Sequence, residues 1–191
     1  MGLRQEQGMD RCINARLVKL TKIEAAKLHI ESAIWLWFVS GDIVSVQTLA
    51  AAAHRILREL AVLSEASAWP ITSAYIAPCP EKNDTEQSGD PVSFFRHSKK
   101  HDTYEVSEQW TELNLFNAVM AYGNLASDPS GSALMSTFVL RVGVERQDLF
   151  VPDVFSLLEK RISKTFNLER LERLSRMDFL KDFLGFLEPA G

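Results

Sequence analysis

The chain is expected to fold as an all-α bundle of four or more helices, built on an N-terminal αα-hairpin. Apolar residues recur at three- and four-residue steps over much of its length, helix-start signals precede those runs, and a Ser40-Gly41-Asp42 turn separates the first two. With 191 residues, 46% of them hydrophobic and 24% charged, it is globular and long enough for one good core. The expected organisation is an arm over 1–20, a bundle core over 21–125 holding a long loop at 64–90, and a C-terminal helical extension over 126–191.

Thr21-Lys22-Ile23-Glu24 has the spacing of a capping box and should start the first helix. Behind it Ile23, Ala26, Ile30, Ala33, Ile34 and Trp37 form an apolar stripe that runs to Ser40-Gly41, where Gly41 is expected to take the left-handed C-terminal conformation. Asp42 can cap a second helix from about Ile43 to Ser64, with Val46, Leu49, Ala53, Ile56, Leu57, Leu60 and Leu63 inward. Ala50 to Ala53 leave little side-chain bulk, so another helix can approach that backbone closely. His54 and His29 read as satisfied or half-exposed helical histidines, since neither has a local partner at ligand spacing.

Residues 64 to 90 are rich in Ser, Thr, Pro, Asn and Asp, and Trp69-Pro70 and Pro78-Cys79-Pro80 oppose regular helix. Glu81 to Asp90 carries four acids against one lysine, an acidic flap just ahead of a basic stretch. Asp90-Pro91 should open a short helix to about Lys100, anchored by Phe94 and Phe95. Ser107 should cap a helix through about Tyr122 that turns Leu113, Phe116 and Met120 to the core and stops at Gly123-Asn124. Ala133 to Val142 is ambiguous between helix and strand because of its β-branched content. Helices are expected around 152–166 and 167–187. In the last one Arg170, Arg173 and Arg176 read as a solvated face, because the segment's acids match its cations in number.

A net charge of −4 and a pI near 5.6 make a dedicated DNA-binding domain a poor fit. Cys12 and Cys79 lack disulfide-framework or metal-ligand spacing, which suits a reducing cytoplasm. The N-terminus lacks the apolar core of a signal peptide, and no apolar run is long enough to span a bilayer, so no membrane role is expected. Internal repeats, glycine-rich phosphate loops, HExxH and GxSxG motifs are absent, and no cofactor is implied. The aromatic content suits self-association into a homo-oligomer.

The stretch Pro91 to Glu105 concentrates the chemistry, with Arg96, His97, Lys99, Lys100 and His101 in six residues and no acid among them. At Arg96-His97-Ser98-Lys99-Lys100-His101 the chain resembles a HEPN domain, and the hairpin Thr21 to Leu63 is similar to the hairpins of that family. The resemblance implies a small helical bundle and metal-independent RNA cleavage at a dimer interface. Arg96 would then stabilise developing phosphate charge and His101 would act as acid or base. Thr21 to Leu60 together with Phe94-Phe95-Arg96-His97 also resembles a group of uncharacterised bacterial helical proteins with TKLEAA, GDPVSxHTLAAAA and FFKHA motifs. The chain departs from that group at Ile43 (proline there), at Gln47 (histidine there) and at Arg96 (lysine there).

The same residues admit other readings. His97 and His101 stand four apart with Asp102 adjacent, a metal-ligand spacing that needs a third ligand from His54, His29 or a distant carboxylate, so no metal site is assigned. His97, Lys99, Lys100 and His54 are candidates for binding RNA or nucleotide without cleavage. In the plainest reading Phe94 and Phe95 are core anchors and the cations form a solvated face. The expected function is a non-catalytic binding or regulatory module that self-associates, with an Arg96/His101 ribonuclease as the alternative.

Overall fold

A computed structural model describes residues 17–63, 105–126, 131–153, 156, 159–160 and 167–187. All regular elements among them are helical, as the sequence predicts: α1 (Lys22–Phe38), α2 (Ile43–Leu63), α3 (Glu108–Leu125), α4 (Ala133–Glu145), a single 3-10 turn (Gln147–Leu149), α5 (Leu168–Arg173) and α6 (Arg176–Leu187). The expected helix over Pro91 to Lys100 lies outside the described residues. No described helix is long and apolar enough to cross a membrane.

The helix starts follow local chemistry. The Thr21 hydroxyl accepts from the Glu24 N–H, and the Glu24 carboxylate accepts from the Thr21 N–H at 2.8 Å, so the capping box forms. The Thr21 hydroxyl also donates to the Glu24 carboxylate at 2.6 Å, and that bond, with the one from the Thr21 N–H, holds the Glu24 carboxyl below its ordinary range. Asp42 accepts from the N–H groups of Val44 and Ser45, and Ser107 from that of Trp110.

The end of α1 corrects one expectation. Ser40, not Gly41, takes the left-handed conformation (φ 52°). The Ser40 N–H donates to the Trp37 carbonyl and the Gly41 N–H to the Leu36 carbonyl, so the two orphan carbonyls are satisfied one residue earlier than expected. Gly41 instead sits where a Cβ would be tight, 3.1 Å from both the carbonyl oxygen and the Cδ2 of Leu36.

α1 and α2 form the antiparallel hairpin, and α3 packs along α2 and against α1. Ala50 and Ala53 are fully buried, the small surface at which α2 meets its neighbours. Leu63, expected inward, is 74% exposed, and Ala61 closes the buried face instead. On α3, Leu113 and Met120 are only half-buried, while Leu115, Phe116, Ala118, Val119, Ala121 and Tyr122 are buried. This helix touches α1, α2 and α4, so its apolar residues do not gather on a single stripe. It also runs past Gly123-Asn124 to Leu125, because tertiary contacts outweigh the propensity of those two residues.

Residues 133–142 are helix. Ser132 caps α4 by accepting from the Met135 N–H, and Met135, Phe138 and Val142 point into the core at three- and four-residue steps. Gly131 enters it with φ 61°. The single helix expected over 167–187 is broken into two at Leu174-Ser175. There the Ser175 hydroxyl accepts from the Asp178 N–H and starts α6, which carries buried Phe179, Leu180 and Phe183. One continuous apolar core joins α1 through α6, with Trp37 edge-on to both Phe38 and Phe138 at 4.9 and 5.0 Å.

Candidate functional site

Arg96, His97, Lys99, Lys100 and His101 lie outside the described residues. His54 sits half-buried on α2 and is engaged in an interaction. Burial, and secondarily the charge of Arg58, lower its pKa, so the neutral imidazole is favoured. His29 is half-buried, within the satisfied or half-exposed state expected of it, and its Nδ1 atom is buried with no hydrogen-bond partner among the described residues. Among the described residues no group of three or more His, Cys, Asp or Glu is placed to hold a metal ion.

The polar constellation that the fold does assemble centres on Glu112, which is 2% exposed. Its Oε1 accepts from Trp37 Nε1 at 3.0 Å and from Arg176 Nη2 at 2.7 Å, and its Oε2 from Arg146 Nη1 at 3.0 Å. The Arg176 guanidinium lies flat against the network, 3.9 Å from the Trp37 ring centroid, and reaches Glu108 and Glu145 with its other nitrogens. Arg146 also grips Asp148 with two parallel bonds, which hold that carboxyl below its ordinary range and raise the arginine.

Arg141 extends the cluster. It is 4% exposed, binds Glu145 through Nε and Nη2, and donates to the carbonyls of Leu171 and Leu174. The Leu171 carbonyl also accepts from the Leu174 N–H at 3.3 Å, and Arg141 adds a second donor there and one to the Leu174 carbonyl, so a side chain from α4 caps the break between α5 and α6. Its guanidinium also stands 5.0 Å from the centroid of Phe179. The break in the expected 167–187 helix therefore has a tertiary partner as well as a local one.

Arg176 was expected on a solvated face and is instead the residue that ties α6 to α1, α3 and α4, because Glu112 and Trp37 give its charge and its flat face partners that no local pattern reveals. Arg170 keeps the expected exposed position, paired with Asp182. The signal for this network was a charge interrupting an apolar run: Glu112 three residues before buried Leu115, and Arg141 beside Val142 and three after Phe138. A charge on a buried face implies a buried partner, but the partner's position is not local.

Chemically the arrangement is closed. Three guanidiniums face the four carboxylates of Glu108, Glu112, Glu145 and Asp148, so the site offers an incoming anion no excess positive charge. Both Glu112 oxygens already accept bonds, which leaves that carboxylate poorly placed as a proton acceptor. Fold and site together define an all-α helical bundle clasped by an arginine–carboxylate network. No family model matches the chain, and no curated protein or solved structure matches it.

Proposed function

We propose that the protein is a non-catalytic binding or regulatory module that self-associates. One contrast supports this reading: the buried charged groups of the described bundle are engaged with one another, whereas α1 turns Leu28, Trp35 and Val39 toward solvent. Groups held this way serve the fold, and an exposed apolar row on a well-capped helix serves contact with another surface. The module fits a cytoplasmic setting, and its basic stretch Arg96 to His101, with an overall negative chain around it, suits weak contact with RNA or nucleotide.

The test combines sedimentation with an RNA assay. Purified protein should show concentration-dependent association, and should leave single-stranded RNA uncut while binding it at low salt. Arg96→Ala together with Lys100→Ala should weaken that binding. RNA cleavage that survives chelation and disappears in His101→Ala would replace this reading with the HEPN-like ribonuclease.

A further inference from the structure

We infer that the outer face of α1 is the surface through which two copies of this chain pair, antiparallel and about a two-fold axis near His29. The inference deepens the self-association reading above and rests on it. Apart from Lys22, which turns to Glu59 on α2, the exposed positions along α1 and its C-cap are Glu24, Leu28, Ser32, Trp35 and Val39, which fall at four- and three-residue steps. They form one narrow seam of the kind a second helix covers. The seam is apolar at Leu28 (48% exposed), Trp35 (50%) and Val39 (37%), and the residues leading into the helix, Leu17, Val18 and Leu20, are exposed as well.

Charge order selects the occupant. One flank of the seam carries Lys27 and then Glu31, one turn apart, while the other carries Ala25, His29 and Leu36. A flank that reads plus then minus is complementary to its own copy turned end for end, because each Lys27 then faces the partner's Glu31 and each Glu31 the partner's Lys27. In a two-fold antiparallel pair like flanks meet, so both charge pairs form on one side and Ala25, His29 and Leu36 of the two copies meet on the other. An interface one helix wide falls at the small end of specific contacts, below roughly 1,200 Å² in total, so the pairing is weak and reversible.

Sedimentation of the full chain over a concentration series up to about 1 mM tests this, that limit corresponding to the weakest dimer worth defining. Wild type should shift toward dimer, Leu28→Glu/Trp35→Glu should stay monomeric with unchanged helical circular dichroism, and Lys27→Glu should raise the dimer dissociation constant at least about tenfold. Lys27→Glu/Glu31→Lys should restore dimerisation, since the reversed flank is again self-complementary. On a Cys12→Ser/Cys79→Ser background, Leu28→Cys should form an intermolecular disulfide under mild oxidation because it lies beside the axis. A wild type that remains monomeric throughout overturns both this inference and the self-association reading. A wild-type dimer that persists in the Leu28/Trp35 variant, or that loses nothing to Lys27→Glu, overturns this inference alone. Should the Leu28/Trp35 variant lose helicity, the two charge variants decide.

Discussion

Where α2 meets α1 and α3, the contact is made mostly by alanines and aliphatic side chains, with one polar link from Asn114 Nδ2 to the buried Gln47 Oε1 at 3.4 Å and the ion pair Lys22–Glu59 left out at the exposed rim. Where α4 and α6 meet α1 and α3, three arginines reach between helices to carboxylates, an indole and two backbone carbonyls. The first contact is non-directional and tolerates any residue of suitable size, provided the helices can approach. The second has a single geometry, because a guanidinium placed an ångström away would take a bond from the buried Glu112 carboxylate or from the Leu174 carbonyl. Small residues therefore govern how close the hairpin packs, and the arginines govern where the C-terminal helices dock.

Removing the centre of the clasp should have the largest effect. Glu112→Leu removes the carboxylate shared by Arg146, Arg176 and the Trp37 N–H, leaving Arg146 with Asp148 and Arg176 with Glu108 and Glu145, and should cost about 3 kcal/mol in urea unfolding. A cost near zero would mean that the network is no more than an apolar contact could replace. Next, Ala53→Leu in the fully buried small surface should cost about 1 to 3 kcal/mol by overpacking. An unchanged unfolding midpoint would show that α2 is not closely approached there.

Thr21→Ala removes the capping box at the edge of the hairpin and should cost about 1 kcal/mol, read as a lower unfolding temperature. Arg170→Ala is the control for the clasp, since the same residue type paired in the open should cost about 0.5 kcal/mol or less. A loss as large as that of Glu112→Leu would erase the distinction between buried and exposed arginines.

The smallest effect is one of pH and belongs to the hairpin. Burial of His54, reinforced by the Arg58 charge, favours its neutral form in the folded chain, so the unfolded chain takes up a proton first as pH falls. Its contribution is present above the unfolded pKa, near 6.5, and is lost as pH drops toward the lowered folded value. Stability measured from about pH 7 to pH 5 should therefore decline more steeply in wild type than in His54→Gln. Equal slopes would show that His54 stays solvated.

Legibility tracked distance along the chain. The caps at Thr21, Asp42 and Ser107 and the apolar stripe of α1 could be read directly, because each depends on residues within a turn or two of one another. The stop at Gly41 was misplaced by one residue, since Ser40 can also adopt the left-handed conformation when the turn closes two hydrogen bonds. Of the inward residues expected on α3, Phe116 is buried, but Leu113 and Met120 are only half-buried, because a helix touched by three neighbours shows no clean periodicity.

By itself, then, the sequence determined that the chain is helical, where α1, α2 and α3 begin and that a small-residue surface lies on α2, all consequences of local hydrogen bonding and side-chain size. Only the tertiary structure decided that 133–145 is helix, that the last helix breaks at Leu174-Ser175, and that Arg176 leaves the solvent face for Glu112 and Trp37. The reason is physical: a β-branched run, an open carbonyl and a long cationic side chain each have near-balanced local options. Long-range partners, Phe138 against Trp37 and Arg141 on the α5 carbonyls, tip that balance.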